Sequence, residues 1–432
     1  MPLRPQPPAV FRLALAPLIL LGAGCAPESS GDDPPTTLIV EAVPIPALPG
    51  SGEPRVSPDG DGAVISWLEP ATSDSGAAAT TERWRLRMLS LGDDGAGEPH
   101  TVAAGDDWFV NWADFPSVVP IGDGTLLAHW LQREGTGSYD YGIRIARSSD
   151  GGASWSEPSR PHDDGPAGEH GFASIFPIAG GGGGLVWLDG RRFAAGEEIM
   201  TLRARTFDRS GAPGAETLVD ESICDCCQTD AAVTSDGVVV VYRDRTEGEV
   251  RDIYATSLID GRWTEGRPVH ADGWVIAACP VNGPAVDARG ADVAVAWFTA
   301  PGDSARVQVA FSGDGGATFG APARVDGGNP GGRVDVVLLE DGGAAVSWIE
   351  RVAEDGAEGG AQIRVRRVAR DGALAAPAVL SDASAERSSG FPRMALDGRG
   401  RLVFAWTDVS GAASVVRVAR IAPASLPTPD RR

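Results

Sequence analysis

The chain has 432 residues, of which 57 are Gly and 33 Pro, and 42 % of it is hydrophobic. Turn residues at about a fifth of the chain exclude a helical bundle, and evenly spread apolar content excludes a disordered chain. A formal charge of −22 sets the protein against phosphate backbones and excludes nucleic acid as a partner. At this length the options are two to four ordinary domains or one repeat array.

Residues 1–24 read as a signal peptide: Arg4 and Arg12 precede an apolar run from Leu13 to Leu21 that is too short to cross a bilayer as a mature helix. The run ends in Gly22-Ala23-Gly24-Cys25, which resembles a bacterial lipobox, with Cys25 as the lipidated residue. Residues 25–35 then serve as a flexible, Pro-rich tether. The expected product is exported and lipid-anchored in the cell envelope, at the outer membrane or facing the periplasm. The lipid is its membrane contact, and the compartment permits disulfides.

From residue 36 to 422 one period repeats. A short apolar strand ends in an aromatic residue at Trp67, Trp130, Trp187, Tyr242, Trp297, Trp348 and Trp406, about every 56 residues. Around it lie a preceding apolar segment, an Asp-Gly or Gly-rich turn, an alternating third strand and a short fourth segment. Four short strands per unit without helical periodicity predict an all-β fold, a β-propeller of seven four-stranded blades. The last unit stops after its third strand, and a spare strand, residues 36–43, precedes the first. Pairing the two closes the ring and removes its exposed edges. Six blades plus an extra hairpin is the alternative. Residues 423–432 read as a disordered tail.

Two turns between third and fourth strands share a pattern: Ser148, Asp150, Gly152, Trp155 and Ser312, Asp314, Gly316, Phe319. This Ser-x-Asp-x-Gly-x-x-aromatic sequence resembles the Asp-box, or BNR repeat, of the sialidase superfamily. Its role is structural, because the carboxylate accepts turn N–H groups, Gly permits positive φ and the aromatic plugs the blade.

Antiparallel alternation sorts the loops. Calling face A the side on which each first strand begins, the Asp-boxes fall on the opposite side, face B. Face A collects the segments leading into each blade and the tails of the second strands. The lead-ins carry Asn111, Trp112, Asp114, His170, Cys224, Cys226, Cys227, Cys279, Asn282 and Arg393. The tails carry Asp189, Arg191, Arg243, Asp244 and Arg245. These residues are expected to converge on one axial mouth that takes a glycan or small ligand. Rim salt bridges among them are the bland alternative.

Cys226 and Cys279 occupy equivalent places in neighbouring blades. Two structural disulfides, one of them Cys226–Cys279, are one reading of the four mature cysteines. A thiolate site for zinc or copper, with His170 as a further ligand, is the other. Cys-x-Cys-Cys is cramped for two disulfides, yet the chain lacks the two Cys-x-x-Cys pairs of common zinc sites.

The family resemblance implies a retaining exo-α-sialidase-like hydrolase that requires no cofactor. Three arginines would grip a carboxylate, a Glu-activated Tyr would attack the anomeric carbon, and an Asp would supply acid–base help. On this chain Arg191, Arg243, Arg245 and Arg393 are candidates for the grip and Asp114 for the acid–base group. The Arg-Ile-Pro motif of the family's first blade is replaced by Glu53-Pro54-Arg55-Val56. Tyr139 and Tyr141 lie on face A without a partner that the sequence reveals. A non-catalytic propeller binding through its Cys/His/Asn mouth is the second function.

Overall fold

The computed structural model describes residues 35–71, 83–163, 168–352 and 360–429. The signal segment and Cys25 lie outside the described residues. Seven sheets follow one another in chain order, and their first strands are Gly52–Asp59, Ser117–Gly122, His170–Pro177, Asp230–Val233, Ala285–Arg289, Pro330–Leu338 and Arg393–Leu396. They are blades 1 to 7 of a propeller, which removes the six-blade alternative. In blade 2 the fourth strand is reduced to one bridge between Ile145 and Ser159.

The second strands are the most apolar because blades stack face to face and bury them on both sides. Gly183–Asp189 is buried at every position, and Trp67, Trp187, Trp297 and Trp348 are inaccessible. The aromatic residue holds the same register in each blade. Trp67, Trp130, Trp187, Trp348 and Trp406 lie opposite Arg87, Arg144, Arg203, Arg364 and Arg417 of the third strand.

An indole N–H buried in such a seam needs an acceptor. The residue two positions on, which shares its face of the strand, supplies one in three blades: Trp67 Nε1 donates to Glu69 (2.9 Å), Trp187 to Asp189 (2.9 Å) and Trp348 to Glu350 (2.5 Å).

The ring closes where expected, but the spare strand is split. Glu41–Val43 pairs antiparallel with Val415–Ile421 as the outer strand of blade 7, and Arg420 donates to Glu41 at 2.6 Å. Thr36–Thr37 instead pairs parallel with Ala378–Val379 at the outer edge of blade 6. Leu38, between the two, is buried in the cluster shared by blades 6 and 7, so the segment straps two blades together. The presumed disordered tail is ordered at its start, because Pro423–Ser425 forms a 3-10 turn and Leu426 is buried in the same cluster.

The first strands of all seven blades line an axial cavity of ≈ 420 Å³. Their edges face one another around the axis, and carboxylates satisfy the N–H groups between neighbouring blades. Asp230 accepts from Val286 (3.0 Å), Asp287 from Leu338 (2.8 Å) and Asp335 from Met394 (2.7 Å). Toward face A the cavity narrows to a void of ≈ 10 Å³ among Ala113, Asp114, Phe115, Phe172, Gln228 and Thr229. The lead-in segments therefore plug the axis on that side.

Both Asp-box turns lie beside the first-hairpin turns, Gly151 N donating to Gly124 O and Gly315 N to Ala291 O, which puts them on face B. Asp150 accepts from Ser154 N (2.9 Å) and Ser148 Oγ (2.8 Å), and Gly152 N donates to Ser148 Oγ (2.8 Å). Asp314, Thr318, Ser312 and Gly316 repeat the arrangement. Trp155 and Phe319 pack against the cores between blades 1 and 2 and between blades 4 and 5.

Candidate functional site

The lead-in to blade 2 crosses the top of the axis. Asn111 caps its turn by accepting from Ala113 N at 2.9 Å, which presents Trp112 half-buried on face A. The indole stacks on Phe391 with centroids 5.8 Å apart. Two guanidiniums lie over it, Arg333 at 4.9 Å and Arg387 at 5.8 Å.

Arg333 is held there by a bulge in the first strand of blade 6, where it takes a left-handed φ of 57°. The turned-out Arg333 N–H donates to Asn282 Oδ1 at 2.8 Å, and its guanidinium donates to Gly390 O at 3.2 Å. Burial first, then the charges of Arg351 and Arg387, bring its pKa down to about 10. Among the described residues neither Arg333 nor Arg387 is ion-paired with a carboxylate. An electropositive, partly desolvated pair thus flanks an aromatic surface. Neither arginine was singled out by sequence, because neither follows a blade's aromatic residue.

Below Trp112, Asp114 is buried. It accepts from Phe172 N (2.7 Å), turned inward by a left-handed φ of 50°, and from Tyr141 Oη (2.8 Å). Gly171 is required beside it, since a Cβ there would overlap the Asp114 carboxylate. The one Tyr141 hydroxyl proton is shared with Glu169, 3.1 Å away, and the ring stacks on Phe109. Burial pushes both carboxyls up to about 7 and raises the Tyr141 hydroxyl well above its usual range, so the phenol remains a donor. The partner that Tyr141 lacked in the sequence is thus supplied by residues 27 and 28 positions away.

The four arginines expected to form one grip are not brought together. Arg191 pairs with Asp189 (2.7 Å) and with Glu216 (2.8 Å), just ahead of the outer strand of blade 3. Arg245 pairs with Asp225 (3.0 Å) and Glu249 (2.8 Å). Arg243 is buried in the seam between blades 4 and 5, where it donates to the carbonyls of Arg251, Asn282 and Phe298 and lies over Trp274. Arg393 lines the axial cavity with its guanidinium over Phe115, and burial brings its pKa down to about 10. The physical reason is that strand-end arginines meet nearer acceptors in their own blade or seam. Asp189 likewise turns inward to its tryptophan, and burial raises Asp244 to about 7.

Cys224, Cys226 and Cys227 gather their sulfurs within 4.8 Å of one another, with Cys224 and Cys227 at 3.2 Å. Cys279, from the next lead-in, is exposed beside Cys226. Among the described residues none of the four is joined in a disulfide. His170 is not part of this group; it is buried in blade 3, stacked on His162 at 4.0 Å and 3.5 Å from Asp189.

No protein-family model matches the sequence, and no curated protein matches it. Solved structures do resemble it. A protein of unknown function from Dyadobacter fermentans superposes with a TM-score of 0.50 at 16 % identity, covering 88 % of this chain and 97 % of its own. The polysaccharide lyase Uly1 gives 0.50 at 11 % identity, covering 85 % and 89 %. A K499G mutant of the NanB sialidase from Streptococcus pneumoniae gives 0.48 at 10 % identity, covering 90 % and 95 %. At these identities the likeness is one of fold, and the class that this chain's seven sheets define is the seven-bladed β-propeller.

Proposed function

We propose that the protein is an exported, lipid-anchored propeller that binds anionic glycans on face A. The observation that carries this reading is the half-buried Trp112 surface flanked by Arg333 and Arg387. An indole face suits the C–H side of a sugar ring, and guanidiniums suit its carboxylate or sulfate. A likeness of fold to a polysaccharide lyase agrees with a polysaccharide ligand, and the lipobox-like sequence at Cys25 with the address. Hydrolysis is the second reading, favoured by the Tyr141, Asp114 and Glu169 group. Binding is preferred because Asp114 is only 2 % exposed and both its oxygens are occupied by protein donors, so it does not face a glycosidic oxygen.

Calorimetric titration with sialyl and uronic-acid oligosaccharides tests the proposal, beside an assay for release of 4-methylumbelliferone from its sialoside. The expected result is saturable binding without release. Trp112→Ala or Arg333→Gln should weaken it by about 10-fold, ~1.4 kcal/mol, while Arg191→Ala changes nothing. Binding lost in Arg191→Ala and kept in Arg333→Gln would overturn the assignment.

A further inference from the structure

The cysteine cluster is separate from the glycan surface in chemistry. It is built where the chain runs from the outer strand of blade 3 (Thr217–Ile223) to the first strand of blade 4 at Asp230, from rim to axis in six residues. That short crossing is pinned at both ends. Cys224 N donates to Arg243 O at 3.0 Å, while the Gln228 side chain donates to Ala113 O (2.6 Å) and accepts from Gly283 N (2.9 Å). Gly283 is obligatory, since a Cβ would lie 2.1 Å from Gln228 O. The intervening turn is therefore fixed by three blades, and it aims Cys224, Cys226 and Cys227 at one point.

Two disulfides would need sulfurs that meet in pairs. Here three sulfurs form a triangle, and the fourth, on exposed Cys279, lies beside Cys226 outside that triangle. Thiolates around a zinc ion at ~2.3 Å stand ~3.8 Å apart, which small side-chain rotations would give from the observed triangle. The cluster also has a cationic outer layer. The Arg251 guanidinium, 3 % exposed, donates to Cys224 Sγ at 3.4 Å and is held by Glu249 at 2.8 Å. Such N–H to sulfur bonds orient thiolate ligands and offset the negative charge of a multi-thiolate complex in a buried site. An arginine contributes little to a neutral disulfide.

We propose that Cys224, Cys226 and Cys227 hold one thiophilic closed-shell cation, zinc(II) or copper(I), with Cys279 as the fourth donor where the ion is tetrahedral. On binding, each ligating thiol gives its proton to solvent, a metal–sulfur bond replaces the S–H bond, and no electron is transferred. The site is independent of the glycan reading, because its donors and their Arg251 partner are residues other than Trp112, Arg333 and Arg387.

The test uses the full chain, purified from the envelope, reduced under anaerobic conditions and titrated with zinc(II) or copper(I) against a chromophoric chelator. Alkylation mapping by mass spectrometry reads each cysteine in parallel. One equivalent should bind and shield Cys224, Cys226 and Cys227 from alkylation. Cys224→Ser and Cys227→Ser should lower affinity by ~100-fold or more, and Arg251→Met by ~10-fold. Cys279→Ser, at an exposed position that leaves the core intact, separates the ions: it weakens zinc binding and spares a trigonal copper(I) complex. Near-UV circular dichroism confirms that each variant is folded. The proposal is overturned if the untreated protein has all four cysteines in disulfides and the reduced protein binds neither ion, or if folded Cys224→Ser and Cys227→Ser bind as the wild type does.

Discussion

At the scale of single residues the protein is marked by carboxyl groups raised by burial. Glu53, Asp114, Glu169 and Asp244 are pushed up to about 7, Asp287 and Asp335 to about 6. Between about pH 4 and about pH 7 these groups hold a proton in the folded state and lose it in the unfolded chain, so stability falls as pH rises through that window. The Asp-box carboxylates work the other way. Asp150 and Asp314, lowered to about 2 by turn hydroxyl and N–H donors, contribute stability that is lost only as pH falls from about 4 toward 2. Thermal melts should therefore give a higher Tm near pH 5.5 than near pH 8, with Asp114→Asn flattening part of that difference. A Tm that rises steadily from pH 5.5 to 8 contradicts the burial argument. The sequence marks Asp114 as unusual but not its partners, since Tyr141 and Glu169 reach it only through the fold. Asp189 was expected at the mouth and instead caps the indole two positions before it, as Glu350 does for Trp348.

Among elements, the aromatic-ended strand was the legible unit, because each second strand must be apolar on both faces and so stands out from half-buried neighbours. The closing strand was less legible. Residues 36–43 read as one strand in sequence, yet Thr36–Thr37 joins blade 6 and Glu41–Val43 joins blade 7. Nothing in the composition of the run marks the crossing at Leu38. Its structural consequence can be measured. Deleting residues 35–43 uncovers the edge of Val415–Ile421 and removes the Arg420 to Glu41 pair. The shortened protein should melt at lower temperature and self-associate in light scattering as concentration rises, through the freed edge. An unchanged Tm and a monodisperse monomer would show that the strap does not close the ring energetically.

For the whole molecule, the division into two faces follows from strand alternation alone, with Ser-Asp-Gly turns on face B and lead-in segments on face A. Alternation does not reveal which side chains stay free at that face. Arg191, Arg243 and Arg245 look available in sequence and are paired in space, whereas Arg333 and Arg387 look ordinary and are left against Trp112. For Arg387 the difference lies in the 3-10 turn Arg387–Ser389 ahead of blade 7, and for Arg333 in a bulged first strand, where left-handed residues turn a side chain or an N–H toward the neighbouring blade. Glu53, Phe172 and Arg333 are the cases in blades 1, 3 and 6. The most direct measurement of the face A assignment is hydrogen–deuterium exchange with and without a saturating anionic oligosaccharide. The account predicts protection confined to residues 111–115, 330–333 and 386–391, with the Asp-box turns at 148–155 and 312–319 unaffected. Protection centred on those turns, or on Arg191 and Arg245 alone, would contradict it.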